Sequence, residues 1–203
     1  NCNNPVAPIV AHPGDDDETR FLVGKFNGDA KDDVVEINRK ASTILTCLST
    51  ATSTAASWNC TNAGSYLPWT GTSEQEFLVG EVDNPAASPT EDLISTWRGV
   101  SSLPVCHSQP GGWYCQDVPA TVYNSQSIEQ RFLKADLNND QRIDVLQVFR
   151  GWRSIPTCTA ATNVNGDFSG WTCRNPAADI YDSGSHEQQF LAGDFNGDGK
   201  TDV

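Results

Sequence analysis

The chain has 203 residues, 37 % hydrophobic and 19 % charged, enough apolar material for a sizeable core and too much for a wholly disordered protein. No apolar run approaches the roughly 20 residues of a membrane-spanning helix; even Val6 to Ala11 is broken by Pro8. Twenty-six acidic side chains against 13 basic ones give a net charge of −13, which opposes nucleic-acid phosphates and favours cations as partners.

In chain order, Asn1-Cys2 to Arg20 aligns with Asn59-Cys60 to Glu76, with two extra residues, so the chain is predicted to begin on the last strand of a repeated unit. The repeat is marked by Phe-Leu at the nearly even positions Phe21, Phe77, Phe132 and Phe190, with Glu18, Glu74, Glu129 and Glu187 three places earlier. An acidic loop follows each Phe-Leu and ends in Asp33, Asp92, Asp144 or Asp202. In each complete copy a Cys stands at one fixed distance beyond that Asp: Cys47 after Asp33, Cys106 after Asp92, Cys158 after Asp144. A second Cys (Cys60, Cys115, Cys173) is preceded two places earlier by Trp58, Trp113 or Trp171, and its distance to the next Phe is the same in every copy.

Each copy reads as four short strands: Phe-Leu-Val-Gly or its equivalent; the half-alternating runs Val34–Arg39, Leu93–Arg98 and Val145–Arg150; the first-Cys region, Thr43–Leu48 in the first copy; and Trp-x-Cys. No segment has a helical period. Four strands per ~56 residues describe a propeller blade, so the expected fold is an all-β propeller forming one domain over residues 1–203. Its repeats are 21–76, 77–131 and 132–189, with a split blade from 190–203 plus 1–20. Adjacent third and fourth strands would carry disulfides Cys47–Cys60, Cys106–Cys115 and Cys158–Cys173, each stabilising by about 3 kcal/mol. Zinc is the competing reading, but the pairs lack the C-x2-C knuckles it needs. Seven cysteines, no methionine and no leader ahead of Asn1 fit a processed, extracellular protein. The split blade lacks about 24 residues of the ~56-residue unit, including a partner for Cys2. Either a second copy or the remainder of a longer chain is expected to complete the ring.

The acidic loops carry the clearest chemistry. Asp194, Asn196, Asp198 and Asp202, with the main-chain carbonyl of Lys200, give an all-oxygen set suited to calcium. Asp136, Asn138, Asp140 and Asp144 with the carbonyl of Arg142 repeat it, although Gln141 stands where Gly199 does. The first loop has Lys25 in place of the opening Asp, beside Asn27, Asp29 and Asp33, and its ammonium is expected to fill the metal position. The second, with Glu81, Asp83 and Asp92, is longer by three residues, and its ligation is left open. The alternative for these loops is a network of Asx turns without metal. An EF-hand is set aside because the third copy has Gln147, on a strand, where a bidentate Glu is required.

The segment Phe190-Leu-Ala-Gly-Asp-Phe-Asn-Gly-Asp-Gly-Lys-Thr-Asp-Val203 resembles the FG-GAP/VCBS repeat of integrin-like β-propellers, and the likeness runs through essentially the whole chain. Repeat length and the Glu-Gln-x-Phe-Leu lead-in are most similar to calcium-containing propeller lectins of the N-acetylglucosamine-binding Psathyrella velutina type. That resemblance implies structural calcium loops and sugar pockets between neighbouring blades.

A sugar site needs an aromatic face and a few fixed polar groups. Arg39, Arg98 and Arg150 close the buried face of the post-loop strand; they either meet ligand at a cleft or pair with Glu74, Glu129 or Glu187. Trp58, Trp113 and Trp171 are read as blade packing or sugar stacking, while Trp97, Trp152, Trp69, Tyr114, Tyr123 and Tyr181 would make the pockets unequal. His12, His107 and His186 occupy different repeat positions and are expected on exposed loops. No nucleophile has a marked His beside it and the acids are engaged in the loops, so no catalysis is expected. The expected function is a secreted, multivalent, calcium-stabilised lectin for glycans, without nucleic-acid binding or membrane insertion; the alternative is an adhesion or accessory module that binds protein or serves an enzyme.

Overall fold

Branched and aromatic residues separated by short Asp-, Asn- and Gly-rich stretches cannot build a continuous helical stripe, and the chain folds into strands and turns. The computed structural model describes residues 19–39, 42–50, 52, 57–62, 75–83, 86, 89–97, 101–122, 130–149, 152–178 and 189–203. Among these residues there are strands and no helix. β1 (Thr19–Gly24), β2 (Asp33–Asn38), β3 (Thr43–Ser49) and β4 (Trp58–Asn62) form one four-stranded sheet, in that order. β5 (Glu76–Gly80), β6 (Asp92–Thr96), β7 (Val105–Gln109) and β8 (Gly112–Gln116) form a second. β9 (Arg131–Ala135), β10 (Asp144–Val148), β11 (Thr157–Thr162) and β12 (Phe168–Arg174) form the third. Every pairing is antiparallel. The second strand of each sheet starts one residue earlier than its apolar run, at the loop's last Asp, because that Asp already faces Gly24, Gly80 or Ala135 of the first strand.

The sheets pack face to face, first strand beside first strand: β1 adjoins β5, and β5 adjoins β9. β6 is buried along its whole length and supplies both interfaces. Leu93 points into a core with Phe26, Val35, Ile37, Ile44, Phe77 and Val79 of the first and second sheets. Its neighbour Ile94 points the other way, into a core with Val105, Phe132, Ile143 and Val145 of the second and third. Strand alternation therefore makes the second sheet a shared wall. The outer face of the first sheet is different: Phe21 is 53 % exposed, whereas its equivalents Phe77 and Phe132 are 8 % and 7 % exposed.

The acidic loops are chained across the sheets. Glu91 N–H donates to the Lys25 carbonyl (2.7 Å), Ile143 N–H to that of Glu81 (2.6 Å), and Thr201 N–H to that of Asp136 (2.8 Å). These are equivalent bonds, each from one loop to the next. Gly80 is required by this approach: a Cβ there would lie 2.8 Å from the Ile143 side chain. Residues 189–203 join the series through the third of these bonds and through the Asp136 N–H, which donates to Thr201 Oγ1 (2.8 Å), while an antiparallel bridge between Gly193 and Asp202 closes the segment on itself.

The three disulfides form as the strand adjacency predicts, each between directly opposed residues of the third and fourth strands: Cys47–Cys60, Cys106–Cys115 and Cys158–Cys173. Cys2 lies outside the described residues, as do Glu18, Glu74, Glu129 and Glu187.

Candidate binding and metal sites

The third and fourth loops share one shape. Asn139 and Gln141 take left-handed φ values of 60° and 65°, matching Gly197 (80°) and Gly199 (83°), so Gln141 does not alter the turn. Each loop wraps its amides around its own carboxylates. Asp136 accepts N–H bonds from Asp140 and Gln141 (3.1 and 2.9 Å), and Asn138 accepts one from Asp140. Asp140 then accepts from Arg142 N–H (2.9 Å) and Arg142 Nη1 (3.3 Å). Asp194 accepts from Gly197, Asp198 and Gly199, Asn196 from Asp198, and Asp198 from Lys200. These amides hold Asp194 below the usual carboxylate range, Gly199 most strongly. The donor set is all oxygen in both loops, which fits calcium chemistry.

The last Asp of each loop has a second task. Asp144 is fully buried, and its carboxylate accepts N–H bonds from Leu137 (2.8 Å) and from Ala160 on β11 (3.0 Å). Asp33 does the same with Phe26 and Ser49, and Asp92 with Val82 and Ser108. Burial raises Asp144 to about 6 despite those bonds.

In the first loop the Lys25 ammonium lies 3.7 Å from Asp32, an exposed side chain, and does not enter the loop where the sequence reading put it. The Lys25 backbone is tied to Glu91, whose carboxylate accepts its N–H and whose amide donates to its carbonyl, and Lys31 takes up Asp29 instead.

The second loop holds what the sequence reading missed. His107 is buried on β7, not exposed on a loop, and its Nδ1 is 2.9 Å from Asp83 and 3.9 Å from Asp92. Asp83, Asp92 and His107 are the one set of three Asp, Glu, His or Cys side chains among the described residues whose ligand atoms all lie within 4.8 Å of one another. The His107 bond holds Asp83 below its usual value. Burial opposes charge on His107, but Asp83 and Asp92 outweigh it and raise the imidazole. Burial pushes Asp92 up to about 8 and Glu81 to about 7, each reinforced by the other acids of the loop. His12 and His186 lie outside the described residues.

The aromatic candidates separate by environment. Trp113 packs edge-on against Phe26 (5.4 Å) and donates its indole N–H to Thr46 Oγ1 (2.8 Å), bridging the first and second sheets. Trp171 bridges the second and third, donating to the Leu103 carbonyl (3.0 Å). Trp58 is half-buried on β4, Trp97 is buried, and Trp152 packs on Phe149 (5.1 Å). Tyr114 is exposed and stacks on His107. Arg39 is buried, with Nη1 3.5 Å from the Gln75 carbonyl; Arg98, Arg150, Trp69, Tyr123 and Tyr181 lie outside the described residues. Beside Trp113 a cleft of about 150 Å³ opens between the first two sheets, lined by Thr46, Leu48, Thr61, Asn62 and Gln109. A wider hollow of about 400 Å³ where the second, third and fourth loops meet is lined by Glu81, Glu91, Lys134, Asp136 and Arg142 and carries no aromatic face.

No family model matches the sequence, and no curated protein matches it. Among solved structures, the fold is similar to that of an Agrocybe aegerita lectin, described as the structural basis of specific recognition of non-reducing terminal N-acetylglucosamine. The TM-score is 0.61 at 13 % identity, and the match covers 83 % of this chain and 40 % of the lectin chain. The chain thus spans about two fifths of that protein, and the likeness is one of fold.

Proposed function

We propose that this protein is a carbohydrate-binding lectin: blades of a calcium-steadied β-propeller with a sugar pocket between the first and second sheets. The observation that carries the reading is the cleft beside Trp113, where an indole wall stands among the polar side chains of Thr61, Asn62 and Gln109 in a volume of about 150 Å³. An aromatic face for the apolar side of a pyranose and a few fixed polar groups for its hydroxyls are what a shallow sugar site requires. The similarity in fold to a lectin that recognises terminal N-acetylglucosamine supports that ligand class. Weak single-site binding would gain strength on a glycan-covered surface by avidity.

Ring closure rests on the exposed Phe21 and Val23, whose equivalents Phe77 and Val79 are covered by a preceding sheet. The loops at Asp136 and Asp194 would hold calcium through Asp136, Asn138, Asp140 and Asp144, and through Asp194, Asn196, Asp198 and Asp202, with the carbonyls of Arg142 and Lys200. The ion supplies charge neutralisation, not chemistry on the sugar. Three disulfides suit an oxidising, extracellular setting, and no helix of the described residues is long and apolar enough to cross a membrane. The test is a glycan array with sugar competition. Terminal N-acetylglucosamine should bind and compete at millimolar levels, and Gln109→Ala or Asn62→Ala should weaken binding without lowering the melting temperature. No inhibition by any sugar would remove the lectin reading.

A further inference from the structure

The second acidic loop departs from its neighbours by bringing a nitrogen among its oxygens. Asp83 lies in the loop and Asp92 opens β6, and His107 faces them from β7, with one ligand atom of each within 4.8 Å of the others. The His107 and Asp92 side chains are only 9 % and 2 % exposed. Glu81 opens the same loop beside Asp83 and Asp92. One of its carboxylate oxygens accepts the Asp83 N–H (2.6 Å); the other, Oε2, is shut off from water and has no hydrogen-bond partner. Three carboxylates thus meet one imidazole. The nearby guanidinium of Arg142, whose Nε donates to the Asp83 carbonyl (2.8 Å), balances only one of them. Crowded, buried carboxyl groups with an unpartnered oxygen are what a bound cation relieves.

We propose that Asp83, Asp92 and His107 bind a divalent transition cation of the zinc class beside Glu81, at a site distinct from the oxygen-only loops. Calcium takes oxygen ligands, whereas imidazole with carboxylates suits zinc and its neighbours. The imidazole is held in place for this role: Tyr114 stacks at 6.3 Å, Phe168 packs at 5.9 Å, and Nε2 is 3.0 Å from the Gln116 side-chain amide. With Nδ1 on the ion, Nε2 keeps the proton, and the Gln116 amide, whose nitrogen faces it at 3.0 Å, turns over to present its oxygen, the outer hydrogen bond that orients metal-bound imidazoles. The Phe168 N–H occupies Asp83 Oδ1 (2.8 Å) and leaves Oδ2 facing His107. The ion would therefore tie the second sheet to a loop residue already anchored on β12 of the third.

The test strips the full chain with chelator and titrates zinc by calorimetry in millimolar calcium, with cobalt absorption as the reporter of nitrogen ligation. One zinc per chain is expected, undisplaced by calcium. His107→Gln and Asp83→Asn should each weaken it by roughly tenfold or more, while Asp32→Asn, at an exposed carboxylate outside every proposed set, leaves it unchanged. Variants are compared only where they melt cooperatively in chelator; Asp83, the more exposed partner, carries the test if the His107 variant does not fold. No bound zinc, stoichiometric displacement by calcium, or unchanged affinity in the folded variant would overturn the proposal. None of these outcomes depends on sugar binding.

Discussion

Replacing Asp144 tests whether the buried last Asp of the first three loops holds the sheet together independently of any ion. Its carboxylate satisfies two backbone donors, Leu137 N–H at 2.8 Å and Ala160 N–H at 3.0 Å, with no access to water. Asp144→Ala leaves both donors without partners, and an unsatisfied buried donor costs about 1–3 kcal/mol. Asp144→Asn keeps one acceptor and turns an NH2 toward the other donor, but it also removes a carboxylate that burial already disfavours. The expected losses are about 3–5 kcal/mol for Ala and about 1–2 for Asn, the latter roughly 2–8 °C in melting temperature for a chain of this size. Urea and thermal unfolding in excess chelator read these losses with ions excluded. Asp198→Asn, in an exposed part of the fourth loop, should then stay within about 0.5 kcal/mol of the parent. If Asp144→Ala melts with the parent in chelator, the carboxylate is not a structural acceptor and the reasoning fails.

Two further outcomes follow from the loops. Chelation should lower the melting temperature and calcium restore it, by about 2.7 kcal/mol per loop at a hundredfold excess over Kd; the double variant Asp136→Asn, Asp194→Asn should lose the response, and a wild-type chain indifferent to chelator would contradict calcium binding. Asp92 and Glu81 are raised by burial to about 8 and about 7, above the ~4 of the unfolded chain, so their contribution is complete below about pH 4 and is lost as pH rises through 7 to 8. In chelator the urea midpoint should therefore fall from pH 5 to pH 8.5, and Asp92→Asn should flatten that fall; an undiminished slope in the variant would refute the assignment.

The sheets were legible because period-2 apolar runs, constant Cys spacing and repeated Phe-Leu all reported one unit. The disulfide partners followed from strand adjacency alone, since opposed residues of an antiparallel pair are close enough to bond. The acidic loops were readable as donor chemistry, yet the sequence could not reveal that Asp33, Asp92 and Asp144 also cap buried amides, which depends on the return of the third strand. His107 was missed for the same reason. Its partners Asp83 and Asp92 stand at or before the start of β6, a whole strand back along the chain and beyond any local ligand spacing. The equivalent positions after Cys47 and Cys158 are Leu48 and Thr159, so no repetition marks it either. Of the recurrent Trp residues, Trp113 and Trp171 were identified by spacing, but which side of a blade they serve depended on the packing of the next sheet. The extra residues of the second loop fall between Asp83 and Glu91, so Glu81, Glu91 and Asp92 keep their repeated hydrogen bonds.

Each described disulfide staples the third and fourth strands of one sheet, and none crosses from one sheet to another. A protease that cuts in the stretch 63–74 therefore leaves two pieces with no described covalent tie, held by the Leu93 core and the loop-to-loop amides. A non-reducing denaturing gel separates them while the native protein travels whole. The architecture is thus suited to reassembly from separately produced segments, with the covalent locks confined to the parts and the recognition left to the joints.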